Sequence, residues 1–163
     1  MRKVFFSFHY DRDVWRVGQV RNCWLIRPEN QATPFLDKAE WEQVKRQGDA
    51  NIERWIKAQL DGTSVTVVLI GNQTSQRRWV QYEIMESYNK DNGLLGIYIH
   101  NAKDRFGLLD VQGANPFDNI YLTNADGSRS YFSSIYSTYD WVHGNGRQNI
   151  GTWIESAARQ AGR

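Results

Sequence analysis

A run of six apolar or β-branched residues, Val65–Ile70, limits the possible folds of this chain more than any other feature. The run carries no charged residue and ends at Gly71, which predicts a strand buried on both faces, as in parallel sheets. Apolar runs at 4–8 and 94–99 predict two more buried strands, and a last strand is expected at 138–142. Parallel strands need crossover connections, usually helices, so the chain should be an α/β protein.

Between these strands, apolar residues recur at helical spacing. Ile52, Trp55, Ile56 and Leu60 form one apolar stripe, and Gly62 is placed to end that helix. The predicted helices cover about 14–24, 50–60, 75–89 and 150–157. The predicted N-caps of the first three are Asp11 or Asp13, Asp49, and Thr74 or Ser75. Alternating strands and helices predict a doubly wound, mostly parallel sheet with helices on both faces.

The remaining segments have weaker patterns. Residues 27–37 are a loop by composition, with a weak signal for a very short strand at 35–37, and 38–46 should form one or two helical turns. Residues 101–134 are rich in polar and turn residues, and Asp126-Gly127 predicts a hairpin turn. We therefore expect a single domain over 1–163, with a loop and hairpin excursion at about 101–134.

Composition and charge exclude several kinds of protein. The 163 residues suffice for one domain with a sizeable core. The 20 basic and 18 acidic residues argue against a dedicated nucleic-acid-binding protein, and the pair Arg77-Arg78 is expected to be solvated. One cysteine and three histidines argue against a zinc cluster, so no metal site is predicted. No segment approaches the roughly 18 apolar residues of a membrane helix, so we expect a cytoplasmic protein without membrane contact.

Ligands of open α/β sheets bind beyond the carboxyl ends of the strands. The candidate site is therefore formed by the loops after residues 8, 70, 99 and 142. These loops lack the glycines and lysine of a P-loop, the Ser/Thr/Gly loop of an FMN site and the strand-terminal Asp of a response-regulator receiver. No G-x-S-x-G motif is present either, which excludes a serine hydrolase of that type.

Trp79 and Glu83 are the residues that most suggest chemistry. Their four-residue spacing places both on one face of the helix after the central strand, where a solvated Glu beside a Trp is the alternative interpretation. A carboxylate among aromatic side chains such as Phe8, Tyr10 and Trp79 suits cleavage of a glycosidic C–N bond, because a negative charge stabilises an oxocarbenium-like transition state. At about 1.5 Å per residue, Glu83 would lie roughly 12 Å from a helix start at 75. It reaches the site only if the helix begins above the sheet edge.

Four segments resemble the TIR-like proteins of the Thoeris anti-phage defence system. They are Val4–Tyr10, 63–71, Arg78–Ile84 and Tyr139–Val142, in the same order and over nearly the whole chain. The resemblance implies a flavodoxin-like fold and NAD as substrate, with no cofactor. It also implies an enzyme that releases nicotinamide and cyclises the ADP-ribose part into a second messenger, which activates a separate effector protein.

Carried over by position, the resemblance makes Glu83 the catalytic residue and the loop Phe8-His9-Tyr10 the wall for nicotinamide or ribose. Trp79 and Ser75 are further candidate substrate contacts. The alternative roles are a helix brace for Trp79 and a cap for Ser75, and the chemistry of the family does not require His9.

Two other interpretations stay open at this point. The chain could be a non-catalytic TIR module that acts by self-assembly, although a carboxylate at Glu83 favours an enzyme, or it could bind or modify another nucleotide. Hydrolysis and cyclisation are not separated, because the outcome depends on whether water or a second nucleophile of the substrate reaches the reacting carbon. The region of the second strand is poorly marked, so a homo-oligomer is possible without a defined pairing surface.

Overall fold

The computed structural model describes residues 2–36 and 38–163, and a five-stranded sheet forms its centre. The sheet strands are β1 (Arg2–Ser7), β2 (Asn30–Ala32), β3 (Val65–Ile70), β4 (Gly93–Tyr98) and β7 (Thr138–Asp140). They are all parallel, in the order β2-β1-β3-β4-β7. This is the flavodoxin-like order, in which the chain winds outward from β1 in both directions. The predicted doubly wound α/β fold is confirmed.

Helices cover both faces of this sheet. They are α1 (Tyr10–Leu25), α2 (Lys38–Arg46), α3 (Asp49–Leu60), α4 (Arg78–Asn89), α5 (Phe132–Ile135) and α6 (Gly146–Gln160). Alternate side chains of β3 explain the layering: Val67 and Leu69 pack with α1 and α6, whereas Val68 and Ile70 pack with α4 and α5. Every residue of β3 is buried, so the strand is the centre of two cores at once.

Two of the predicted helix starts are wrong in detail. His9 is the N-cap of α1, and Asp11 and Asp13 lie in its first turn. Gly48 precedes α3, so Asp49 is likewise a first-turn residue. Carboxylates in a first turn interact favourably with the partial positive charge of the helix N-terminus, which explains why they mark the start without capping it.

The prediction that Thr74 or Ser75 caps α4 is also wrong. Residues Thr74–Gln76 form a 3-10 turn, and α4 begins at Arg78. The Thr74 hydroxyl accepts a hydrogen bond from the backbone N–H of Gly71 (2.8 Å), so it closes the turn after β3. The start of α4 is consequently later in the chain than its sequence pattern indicates.

The edge strand β2 lies within the segment predicted to be a loop. It pairs with β1 over three residues only, the last pair being Val4 with Ala32. The strand signal at 35–37 is wrong for Phe35 and Leu36, which are irregular, and Asp37 lies outside the described residues. Among the described residues, β1 therefore has no strand partner on this side beyond Val4, because β2 stops short.

A two-stranded antiparallel hairpin lies outside the main sheet. It consists of β5 (Tyr121–Thr123) and β6 (Arg129–Tyr131), and Tyr121 pairs with Tyr131. Gly127 has a φ of 84° in the connecting turn, as the Asp126-Gly127 motif predicts. Among the described residues, no helix is both long and apolar enough to cross a bilayer.

Candidate active site

Glu83 lies in the second turn of α4 with its side chain inside the protein. The residue is 8% exposed, and the Ser7 hydroxyl at the end of β1 donates a hydrogen bond to its Oε2. The solvated alternative for Glu83 is therefore wrong. Because α4 begins at Arg78 and not at 75, Glu83 is only about 7.5 Å along the axis from the helix start. The late start of the helix is what brings the carboxylate to the end of β1.

Burial controls the charge of this carboxyl group. Removal from water disfavours the ionised form and raises the pKa of Glu83 to about 8, with the Ser7 hydrogen bond opposing the shift. Among the described residues, no cation forms an ion pair with it. The group is mostly protonated at pH 7 in the free protein, and a positively charged ligand beside it would favour the carboxylate.

An aromatic cavity opens directly beside Glu83. It lies against β1 where β2 has ended. Its lining residues are Phe5, Phe6, Phe8, Tyr10, Thr33, Pro34, Phe35, Leu36, Trp41, Trp55, Arg77, Trp79, Val80 and Glu83. A concave, mostly apolar pocket with few polar groups is the usual form of a small-molecule site.

Contacting aromatic rings form one side of the cavity. Phe8 stacks on Tyr10 at 5.8 Å between ring centroids and contacts Phe35 at 4.9 Å. Tyr10 in turn contacts Trp41 at 6.1 Å, and Trp41 contacts Trp55 at 5.7 Å. Flat rings in mutual contact hold each other in place, so they present a preformed surface to a planar ligand.

The structure brings together four of the six residues predicted for the site. The cavity is lined by Phe8, Tyr10, Trp79 and Glu83. The first strand, predicted over 4–8, ends at Ser7, so Phe8 lies in the segment after β1.

His9 and Ser75 lie elsewhere. The imidazole of His9 is buried, and burial followed by the nearby Arg77 charge lowers its pKa. Ser75 is buried in the 3-10 turn, where its carbonyl accepts hydrogen bonds from the side chains of Gln81 and Asn119. Neither residue lines the cavity, so their predicted contact with substrate has no support from its geometry.

Several wall residues were missed from the sequence. Trp41 and Trp55 belong to α2 and α3, where an aromatic residue at helical spacing looks the same whether it faces a core or a cavity.

The prediction that Arg77 is solvated is wrong in part. Its side chain is 37% exposed but lines the cavity, and its guanidinium is 3.9 Å from the Asp11 carboxylate.

The hydroxyl of Tyr10 offers a test of the cavity wall, because it donates a hydrogen bond to the carbonyl of Leu36 and so holds the segment 33–36 in place. Tyr10→Phe keeps the ring and removes this bond. We expect the free energy of unfolding to fall by about 1 kcal/mol and the KM for the substrate of this site to rise a few-fold. Denaturant unfolding and initial-rate kinetics measure the two effects.

Tyr139→Phe is a matched control for that substitution. Tyr139 stacks on Trp153 at 4.3 Å, and its hydroxyl makes no hydrogen bond to any residue in 2–36 or 38–163. This variant should match the wild type in both measurements. An unchanged KM in Tyr10→Phe would show that the segment 33–36 is not part of the substrate site.

A parallel sheet of this strand order, with a buried glutamate beside an aromatic cavity, defines an α/β domain of the TIR-like class. Residues 5–104 match the family model of the Thoeris protein ThsB, TIR-like domain, and the chain belongs to this family. It is 35% identical to a Bacillus cereus (strain MSX-D12) protein named "Putative cyclic ADP-D-ribose synthase ThsB1". The 189 aligned positions cover 94% of this chain and 98% of that relative. The resemblance noted in the sequence is thus confirmed.

Proposed function

We propose that this protein cleaves the bond between nicotinamide and ribose in NAD and converts the ADP-ribose part into a cyclic messenger. In anti-phage defence, that messenger would activate a separate effector protein. The observation that carries the proposal is the burial of Glu83 against the aromatic cavity. The name of the Bacillus cereus relative supports the same chemistry.

The reaction needs a site for a flat cation and a negative charge near its ribose. The C–N bond breaks with both electrons going to the ring nitrogen, so nicotinamide leaves neutral and positive charge develops on the ribose. In the cavity, Phe8 and Tyr10 offer stacking surfaces to the nicotinamide ring, while the Glu83 carboxylate stabilises the developing oxocarbenium ion. A hydroxyl or an adenine ring nitrogen of the adenosine half then attacks that carbon and closes the ring, and the attacking hydroxyl, or the adenine amino group beside the ring nitrogen, gives up a proton to solvent.

The electrostatics of Glu83 favour an enzyme over a scaffold. A buried carboxyl with a raised pKa makes the folded protein less stable at neutral pH, because it must either bind a proton or be ionised out of water. A self-assembly module gains nothing from that cost. In a site that binds the cationic pyridinium ring, the ligand supplies a positive charge opposite the carboxylate. The stability lost by burying Glu83 then serves catalysis.

Mass spectrometry of nucleotides from phage-infected cells tests the proposal. Cells that carry the wild type should accumulate a cyclic ADP-ribose product and nicotinamide, and cells that carry Glu83→Gln at equal protein levels should not. A product of equal amount in both would refute the assignment of Glu83. Infected cells are the appropriate setting because they supply any phage-derived activator that the enzyme requires.

The raised pKa of Glu83 predicts a specific pH dependence of activity. If the carboxylate is the active form, kcat/KM for NAD should rise about tenfold per pH unit up to about pH 8 and then level off. The limb in kcat should lie at lower pH, because the bound pyridinium stabilises the carboxylate in the complex. Initial rates between pH 6 and 9 measure both profiles. A kcat/KM that is flat over this range would mean that Glu83 does not ionise in the catalytic step.

A further inference from the structure

An open groove runs along the outer face of α4, next to the cavity. Its lining residues are Glu53, Arg78, Trp79, Gln81, Tyr82, Met85, Asn119, Ile120 and Tyr121. Trp79 lines both the groove and the cavity, so the two spaces are neighbours on either side of this residue. A ligand with two flat ends could therefore occupy both by crossing the edge of Trp79.

The helical spacing in α4 produces this arrangement. Trp79 and Glu83 are four residues apart and share the face toward the cavity, while Arg78, Tyr82 and Met85 share the neighbouring face toward the groove. The Trp79 and Tyr82 rings meet edge to face at 5.6 Å, so they form one continuous aromatic corner between the two spaces. In this geometry, Trp79 can both pack along its own helix and contact a ligand, which are the two roles predicted for it.

The groove has groups that suit an adenosine phosphate. Tyr121 of β5 is 41% exposed and lines the groove, and a purine can stack on such a ring. The Glu53 carboxylate of α3 is an acceptor for ribose hydroxyls. The carboxamides of Gln81 and Asn119 donate to the Ser75 carbonyl and keep their oxygens as acceptors for the adenine amino group.

Two arginines lie where a pyrophosphate would cross between the spaces. Arg77 lines the cavity and Arg78 lines the groove, and the next residue, Trp79, lines both. The Arg78 guanidinium lies 4.5 Å from the centre of the Trp79 ring and 2.6 Å from the Asp49 carboxylate, so it is already positioned. Planar guanidinium groups are the preferred protein partners of phosphate oxygens.

We propose that this groove binds the adenosine half of the dinucleotide whose nicotinamide half occupies the cavity. The inference rests on the proposed function and extends it, because it assigns the residues that distinguish NAD from a nicotinamide nucleotide without the adenosine phosphate. Tyr121 provides the stacking surface, Glu53 binds the ribose, and the Arg77-Arg78 pair binds the pyrophosphate.

Tyr121→Ala with a matched control tests the groove. Tyr131 is the cross-strand partner of Tyr121, is 39% exposed and does not line the groove, so Tyr131→Ala controls for damage to the hairpin. Titration of each purified variant with AMP should give a Kd about tenfold weaker for Tyr121→Ala and within twofold of wild type for Tyr131→Ala. Glu53→Gln, which leaves the hairpin intact, should weaken AMP binding at least threefold.

Kinetics with two substrates complete the test. In active enzyme, Tyr121→Ala should lower kcat/KM for NAD about tenfold and leave kcat/KM for nicotinamide mononucleotide unchanged, because that substrate lacks the adenosine phosphate. An AMP titration with no binding to the wild type, equal losses in both tyrosine variants, or an unchanged preference for NAD over nicotinamide mononucleotide would overturn the inference. These outcomes leave the proposed function intact, whereas undiminished product from Glu83→Gln refutes the proposed function whatever the groove binds.

Discussion

Glu83→Gln should fold normally and release nicotinamide at least a hundredfold more slowly than the wild type. Glutamine keeps the size of the side chain and can still accept the hydrogen bond from the Ser7 hydroxyl. It cannot carry the negative charge that opposes the positive charge developing on the ribose. Loss of one principal electrostatic group typically costs about 3 kcal/mol of transition-state stabilisation, which corresponds to roughly a hundredfold in rate. Single-turnover measurement of nicotinamide release would report this step directly.

Glu86→Gln provides the control for that loss. Glu86 lies three residues further along α4, is partly exposed and does not line the cavity. Its substitution makes the same side-chain change on the same helix, so a comparable loss of activity there would indicate a general effect of substitution in α4 and not a role for the buried carboxyl group. Activity near wild type in Glu86→Gln, together with loss in Glu83→Gln, assigns the effect to the cavity.

The same Glu83→Gln substitution should make the protein more stable at neutral pH. Between about pH 4.5, the ordinary pKa of Glu, and about pH 8, its raised pKa in the fold, the folded state holds a proton that the unfolded state has lost. The free energy of unfolding therefore falls as pH rises across this window, by on the order of 3 kcal/mol at pH 7. Glutamine has no proton to lose, so the variant escapes this fall. Its Tm should exceed that of the wild type by roughly 5–10 °C at pH 7 and by little at pH 5.

Glu155→Gln should behave in the opposite way. Its hydrogen bond from the Arg2 guanidinium lowers the pKa of Glu155, so the carboxylate stabilises the folded state above the ordinary pKa of Glu and this stabilisation is lost as pH falls. Removing its charge should lower the Tm at pH 7. Thermal unfolding of both variants from pH 5 to pH 8 decides the matter. Parallel curves for the wild type and Glu83→Gln would show that Glu83 is not buried as a neutral acid.

Increased stability and lost activity of Glu83→Gln are more informative together than either result alone. A variant that is inactive because it misfolds cannot also melt at a higher temperature. The two measurements on Glu83→Gln together therefore separate a catalytic role from a structural one, without any assumption about the product that the enzyme forms.

Local sequence patterns were sufficient to predict the central strand and the helix that carries Glu83. Val65–Ile70 could be recognised as a central strand because a long apolar run can be satisfied only where both faces of a sheet are covered, and the structure buries all of it. The spacing of Trp79 and Glu83 likewise placed both on one face of a helix, which the structure retains. The sequence pattern predicts too early a start for that helix. Thr74 does not cap the helix, because its hydroxyl accepts a hydrogen bond from the backbone N–H of Gly71, directly after β3.

By itself, the sequence determined the doubly wound α/β class, the family and the identity of the candidate carboxylate. Tertiary structure alone decided that Glu83 is buried, that its pKa is raised, and that Phe35, Trp41 and Trp55 meet Phe8 around one cavity. The physical reason is that periodicity reports which face of an element is apolar but not what that face contacts. Exclusion of water depends on every element packed around a group. Here the short strand β2 leaves open the space that those distant aromatic residues line.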